Sequence, residues 1–188
     1  MRRLTVFEHL ALDGYFVDAL GDMRWAYRPE PDAEWDAYVT GNASGDAVLV
    51  FGRVTYDLMQ GYWPTPLALE QNPAVAKRMN ALTKLVFSRT LDQAIWENTR
   101  LVKGDAVANM RKLKGERGED MVILGSGSLV AQFAAAGLID EYQLVVNPRA
   151  LGAGRTLFQG LKKPLGLKLI KTRAFNNGNV VLNYEALA

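Results

Sequence analysis

Three short segments join glycine to hydroxyl and guanidinium side chains where an apolar run gives way to a turn or a helical pattern. They are Gly52-Arg53-Val54-Thr55, Phe87-Ser88-Arg89-Thr90 and Gly125-Ser126-Gly127-Ser128-Leu129. The chemistry available to such segments is anion binding. Unpaired backbone N–H groups and the dipole at the start of a helix point at a negative ligand, and glycine lets that ligand reach bare backbone. Arg53 and Arg89 add cations, and Thr55 and Ser88 add hydroxyls, which is what a phosphate needs beyond backbone donors. Each segment also has a structural reading: a tight turn capped by Ser128, a break at Gly52 followed by a solvated Arg53, and a surface turn carrying Arg89. Two strand-to-helix turns of one kind are harder to dismiss than one, and the third lies at the carboxyl end of a strand, the edge where ligands bind in open α/β sheets.

Other chemistries fail on inventory. The chain has no cysteine, so disulfides, thiolate metal sites and cysteine nucleophiles are excluded, and its one histidine, His9, cannot build a multi-histidine zinc site. Catalysis is left to carboxylates, hydroxyls, lysines, backbone groups or a borrowed cofactor. Gly125-Ser126-Gly127-Ser128 lacks the closing glycine of a nucleophile elbow, and Gly152-Ala153-Gly154-Arg155-Thr156 lacks the lysine and spacing of a P-loop. Val130 stands where a dinucleotide fingerprint needs its last Gly or Ala, which argues against an ordinary Rossmann domain. His9, on an apolar strand, reads as structural. Asp32, Glu34 and Asp36 read as the solvated acidic first turn of a helix. Trp25, Trp35, Tyr62 and Trp63 could stack a planar ring, although aromatics more often fill cores.

The elements that must position these residues alternate along the whole chain. Leu4 to Leu10 reads as a first strand, ended by the turn Leu12-Asp13-Gly14, and a long connection runs on through Trp25, Pro29 and Pro31. Asp32 to Tyr38 reads as a short helix and Ala47 to Phe51 as a strand buried on both faces, followed by helices over Val54–Met59 and Ala74–Leu82. Lys84–Phe87 and Thr99–Val102 are further strands. Asp105 caps a helix carrying Val107, Met110 and Leu113, and Met121–Leu124 is the next buried strand. Ser128 is expected to cap a helix over Leu129–Ala136. Glu141–Asn147 is a strand, and Leu167–Phe175 with Val180–Tyr184 form a hairpin about Asn176-Asn177-Gly178. The expected architecture is one α/β domain over residues 1–188 with a mixed, mostly parallel sheet, helices on both faces and a C-terminal antiparallel hairpin.

Bulk properties add little. Twenty-two Lys and Arg against 20 Asp and Glu give a net charge of +2, too weak a field to nominate nucleic acid. No apolar run is long enough for a bilayer, and the basic residues at the N-terminus meet Glu8 before any signal core forms, so a cytoplasmic protein without a membrane partner is expected.

Taken in order, Leu12-Asp13-Gly14-Tyr15, Gly52-Arg53-Val54-Thr55-Tyr56, Ser88-Arg89-Thr90-Leu91, Leu124-Gly125-Ser126-Gly127-Ser128-Leu129, Gly137-Leu138-Ile139-Asp140-Glu141-Tyr142 and Pro148-Arg149-Ala150-Leu151-Gly152-Ala153-Gly154 to Leu157-Phe158 form a specific set. On these the chain resembles the dihydrofolate reductase-like superfamily, most closely its riboflavin-biosynthesis reductase branch, the C-terminal domain of the bifunctional deaminase-reductase. The resemblance implies a three-layer fold and an NADPH site in which Gly52, Arg53, Val54 and Thr55 hold phosphate. It also implies that Ser88 and Arg89 lie by the adenosine and its extra phosphate, and that Gly125, Ser126, Gly127, Ser128 and Leu129 cradle the pyrophosphate. It places Asp13 and Gly14 near the nicotinamide and substrate, has Gly152 and Gly154 close the pocket, and puts a catalytic carboxylate about where Asp32, Glu34 or Asp36 falls, which makes Asp13 and Asp32 the catalytic candidates. It further implies hydride transfer to a heterocyclic small molecule, and a homodimer. The alternatives are a non-catalytic nucleotide- or pterin-binding module of the same fold and a folate-type reductase.

Overall fold

The main chain begins in the middle of its own sheet. In a computed structural model, which describes residues 1–27, 32–42 and 45–187, strand β1 (Leu4–Ala11) pairs in parallel with β6 (Met121–Leu124) on one side and β7 (Glu141–Asn147) on the other. Beyond β6 lie β3 (Val48–Gly52), β4 (Lys84–Phe87) and β5 (Thr99–Val102), all parallel. Beyond β7 lie β10 (Val180–Ala186) and β9 (Leu167–Ala174), both antiparallel to their neighbours. The expected mixed, mostly parallel sheet with a terminal hairpin is what forms. Gly178, at φ +85°, supplies the backbone turn that the Asn-Asn-Gly sequence demanded.

Alternation within the buried strands divides the core. Val48 and Val50 face a cluster under α5 (Ala106–Gly115) and α6 (Gly127–Ala135), with Val6, Ile123, Met110 and Phe133. Leu49 and Phe51 face the opposite layer, where Tyr56 of α2 (Arg53–Tyr62) and Met79 of α4 (Pro73–Ala81) meet Val86 and Trp96. On that second face a separate cluster forms under α1 (Ala33–Asn42), where Trp35 and Tyr38 pack on Val145, Phe175 and Val181. A period-two pattern of large apolar residues buries both sheet faces at once.

Several boundaries differ from the sequence reading. The first helix starts after Asp32 and runs to Asn42, because the Asp32 carboxylate accepts from the backbone N–H groups of Glu34 (3.1 Å) and Trp35 (3.0 Å). A further helix, α3 (Pro66–Gln71), follows Thr65, whose hydroxyl caps it. A two-stranded ribbon of β2 (Tyr15–Val17) and β8 (Arg155–Thr156) was not legible: each strand is too short to carry a period, and only the fold brings them together. Pro29 and Pro31 lie outside the described residues.

One placement decides where a ligand can go. Strand β6 inserts between β3 and β1, and the helices that leave β3 and β6 go to opposite faces of the sheet. Their N-termini therefore flank a crevice at the carboxyl edge, the switch point of an open α/β sheet. Tyr56 anchors one side, its hydroxyl accepting from the buried Trp96 N–H at 3.0 Å, while Trp96 Nε1 donates to Asn80 at 2.7 Å. Tyr56→Phe leaves that N–H unpaired in the core and is expected to cost roughly 1–3 kcal/mol. A urea midpoint unchanged from the parent, at the same slope, would show that the bond contributes nothing.

Candidate functional site

The crevice opens as a cavity of about 450 Å³ lined by Gly52, Arg53, Val54 and Thr55 from the head of α2, Ser126, Ser128 and Leu129 from the head of α6, and Phe87, Ser88, Arg89 and Thr90 from the end of β4. All three segments singled out in the sequence thus meet in one place. Gly104, Asp105 and Gln132 line it too. The sequence reading assigned Asp105 only its cap, and indeed its carboxylate accepts from the Ala108 N–H at 2.8 Å. Nothing local in the sequence announces that the turn before α5 reaches the same crevice.

The two helix heads are tied to each other. Ser126 Oγ accepts the Gly52 N–H at 2.7 Å and donates to Thr55 Oγ1 at 2.9 Å. This spends the Gly52 donor and the Ser126 hydroxyl proton, and the Thr55 hydroxyl proton has no acceptor among the described residues. Ser126 takes the left-handed conformation, φ +63° and ψ +51°, directly after Gly125 at φ +63°. Such strain in a non-glycine residue persists only where surrounding contacts hold it, and here they are the bonds to Gly52 and Thr55. The expected cap at Ser128 is corrected: α6 begins at Gly127, Ser126 occupies the position before it without a capping bond, and Ser128 lies inside the first turn. Helix geometry leaves the first amides of α2 and of α6 without intrahelical acceptors, so both heads offer donors and positive dipole ends to the cavity.

The glycines also answer to packing. A Cβ on Gly127 would collide with the ring of buried Phe16, so this glycine makes room for an aromatic of β2, whereas a Cβ on Gly125 would press on Thr55 at 3.0 Å. Gly154 lies against the Val17 carbonyl with no space for a side chain, which is what lets β8 close on β2. Gly14 and Gly152 sit at φ +84° and +72° with open space around them. Asp13 joins their two turns: its carboxylate accepts from the amides of Leu151 (2.9 Å) and Gly152 (2.7 Å). Gly154 belongs to a separate shallow depression with Asp18, Gly21 and Arg155.

The cations differ in freedom. Arg53 pairs with Asp57 at 2.9 Å one helical turn on, and both side chains are partly exposed to solvent, so the pair restrains the guanidinium weakly. Arg89 makes no ion pair among the described residues. Ser88 is spent on its own turn, its Oγ accepting from the amides of Thr90 and Leu91. Both carboxylates named as catalytic candidates are engaged: Asp13 clamps the 151–152 loop and Asp32 caps α1.

A polar group that the sequence reading passed over lies on β1. Glu8 is buried, its Oε1 accepts the His9 N–H at 3.1 Å, and Oε2 has no partner among the described residues. Burial pushes its carboxyl up to about 8, the bond from His9 opposing. Burial pushes the His9 imidazole down to about 4. Their apolar sequence surroundings, Thr5-Val6-Phe7 and Leu10-Ala11, hide both residues as strand filler.

Comparison with known proteins places this geometry. The model of the RibD C-terminal domain matches residues 2–181. The uncharacterized protein YyaP of Bacillus subtilis is 30% identical over 188 residues, 98% of this chain and 95% of that one. Among solved structures, a protein of Shewanella sp. PV-4 assigned to riboflavin biosynthesis superposes with a TM-score of 0.74 at 24% identity, over 99% of each chain. A diaminohydroxyphosphoribosylaminopyrimidine deaminase/5-amino-6-(5-phosphoribosylamino)uracil reductase of Thermotoga maritima gives 0.68 at 12%, over 99% of this chain and 57% of that chain. Dihydrofolate reductase of Enterococcus faecalis, solved with NADP(H), gives 0.64 at 15%, over 99% and 97%. Likeness at these identities shows the fold.

Two outcomes follow from the packing. Gly127→Ala is expected to destabilise by roughly 1–3 kcal/mol through overpacking against Phe16, and adding Phe16→Leu is expected to recover part of that loss; strict additivity in a double-mutant cycle would refute the contact. For Glu8, a folded-state pKa raised from 4.5 to about 8 means stability present below pH 4.5 is lost as pH rises toward 8. Glu8→Gln should therefore gain on the parent between pH 5 and 8, by on the order of a few kcal/mol. Parallel thermal-melting curves across that range would refute it.

Proposed function

The chain belongs to the RibD C-terminal domain family, and on that premise we propose that it is an NADPH-dependent reductase. It transfers a hydride to a pyrimidine- or pteridine-type heterocycle in the manner of 5-amino-6-(5-phosphoribosylamino)uracil reductase, as one domain over residues 1–188. The observation that carries the reading is the cavity in which two helix heads, two arginines and a threonine hydroxyl converge at the switch point of the sheet. That donor set fits an extended polyphosphate bearing an additional phosphate.

In this reading the first amides of α6, at Gly127 and Ser128, and those of α2, at Arg53, Val54 and Thr55, hold the pyrophosphate from two sides. Arg89, without an ion pair among the described residues, takes the phosphate that distinguishes NADPH from NADH, with the Ser88 turn fixing the backbone beneath it. Gly52, Ser126 and Gly125 act indirectly: they lock the two heads into one cradle. Leu129 packs behind it in the core under α6. NADPH supplies the hydride when bound. Asp13 and the loop through Gly14, Gly152 and Gly154 shape the acceptor side, Asp13 by positioning the loop and Asp32 by fixing the start of α1.

Such a reductase belongs in the cytoplasm, where reduced dinucleotide is available. It works as a homodimer in this reading, supported by the exposed edge strand β9 with Leu169 and Ile170. The folate-type and non-catalytic alternatives are separated from it by turnover: NADPH oxidation with a pyrimidine acceptor and not with dihydrofolate supports the proposal.

The direct test is cofactor titration. NADPH is expected to bind more tightly than NADH, and Arg89→Ala to weaken NADPH by roughly 1.5–3 kcal/mol while leaving NADH nearly unchanged. Equal losses for both dinucleotides would remove Arg89 from the phosphate. Binding of neither by the folded parent would remove the reductase reading.

A further inference from the structure

The sheet face that carries α1 and α2 is not covered by one continuous layer. The cluster under α2 and α4 takes Leu49, Phe51 and Val86, with Val122 and Leu124 of β6 at its margin, whereas the cluster under α1 takes Val145, Phe175 and Val181. Strand β1 runs between β6 and β7, at the seam of the two. On this face β1 presents Phe7, which joins the α1 cluster, and then His9, two residues beyond the Phe7–Leu124 pair and so level with the turn that opens α6. His9 is partly exposed there. The sole histidine of the chain thus stands at the carboxyl edge of the sheet, beside the proposed cofactor cradle and on the other face from α6.

Its surroundings define its chemistry. The rings of Phe7 and Trp35 meet the imidazole edge-on, at centroid distances of 5.6 and 6.1 Å. Asn147 Nδ2 lies 3.3 Å from His9 Nδ1 and also donates to the carbonyls of Leu10 (3.2 Å) and Val145 (3.1 Å). The two carbonyls fix this atom as the amide nitrogen, which can only donate, and its two protons are shared among those carbonyls and the nearby Nδ1. His9 Nδ1 is therefore the acceptor and the imidazole proton resides on Nε2. Among the described residues Nε2 has no acceptor. Arg173, a cation on this face, is held by Glu34 at 3.0 Å and lies over Phe175, so it does not compete.

Resting on the reductase reading above, we propose that His9 is a substrate-binding residue: its Nε2–H donates to a carbonyl oxygen or ring nitrogen of an uncharged acceptor heterocycle, with Trp35 as the neighbouring aromatic wall and Asn147 holding the tautomer. A neutral donor flanked by two aromatic rings selects a flat, polar, uncharged ring. It offers nothing to a phosphate.

Because there is one histidine, protein labelled with ¹⁵N-histidine reports a single imidazole. Long-range ¹H–¹⁵N spectra are expected to show the Nε2–H tautomer from pH 6 to 8. In protein saturated with NADPH, adding 5,6-diaminouracil is expected to shift the Nε2 resonance. His9→Phe, which keeps a ring and drops the donor, should bind that probe about tenfold more weakly with NADPH affinity unchanged, and His9→Gln should recover part of the loss. An Nδ1–H tautomer, an imidazole that does not respond to the probe, or equal probe affinity in His9→Phe overturns the proposal. Failure of the parent to bind NADPH instead overturns the reductase reading, and the tautomer measurement still decides whether His9 offers Nε2–H.

Discussion

The hydroxyl of Ser126 holds the two halves of the cradle in one geometry. Residues 52 and 126 are 74 positions apart in the chain, yet the Gly52 amide, the Ser126 oxygen and the Thr55 hydroxyl form one connected chain of hydrogen bonds. The constraint behind it is topological: β6 enters between β3 and β1, and the helices that follow β3 and β6 depart to opposite faces. Two helix heads that would otherwise diverge are thereby joined at the edge where they start. The left-handed backbone at Gly125 and Ser126 is the local cost of turning the chain there, offset by the bonds it makes possible.

The same crossing shapes the surroundings of β1. With α6 on one face and α2 and α1 on the other, the central strand β1 has one side sealed in core and one side at a seam between two clusters. Glu8 points with the sealed side and His9 with the seam, although they are adjacent in sequence, because side chains alternate along a strand. One becomes a buried acid raised by desolvation, the other a neutral imidazole whose tautomer is set by Asn147. Asp13 and Asp32, the carboxylates that stand out in the sequence by position, are used to hold backbone.

The parts of the crevice were legible because they are local. Gly52-Arg53-Val54-Thr55 and Gly125-Ser126-Gly127-Ser128 each carry the glycines and hydroxyls of a strand-to-helix turn in a few consecutive residues, and Ser88-Arg89 ends an apolar strand. What each glycine was for was not legible. Gly127 yields to Phe16 and Gly154 to the Val17 carbonyl, partners more than a hundred residues away. The ribbon of β2 and β8 escaped for the same reason.

By itself the sequence determined the strands of the main sheet, the helices other than α3, the terminal hairpin and the three turns that line the crevice, since periodicity, caps and turn residues act over a few positions. Tertiary structure decided which of those turns share a cavity and that Asp105 joins them, because strand order is set by burying both sheet faces and leaves no mark on any short stretch. It also decided which face each residue of β1 meets, for a strand carries two faces and only its neighbours make one a core and the other a seam.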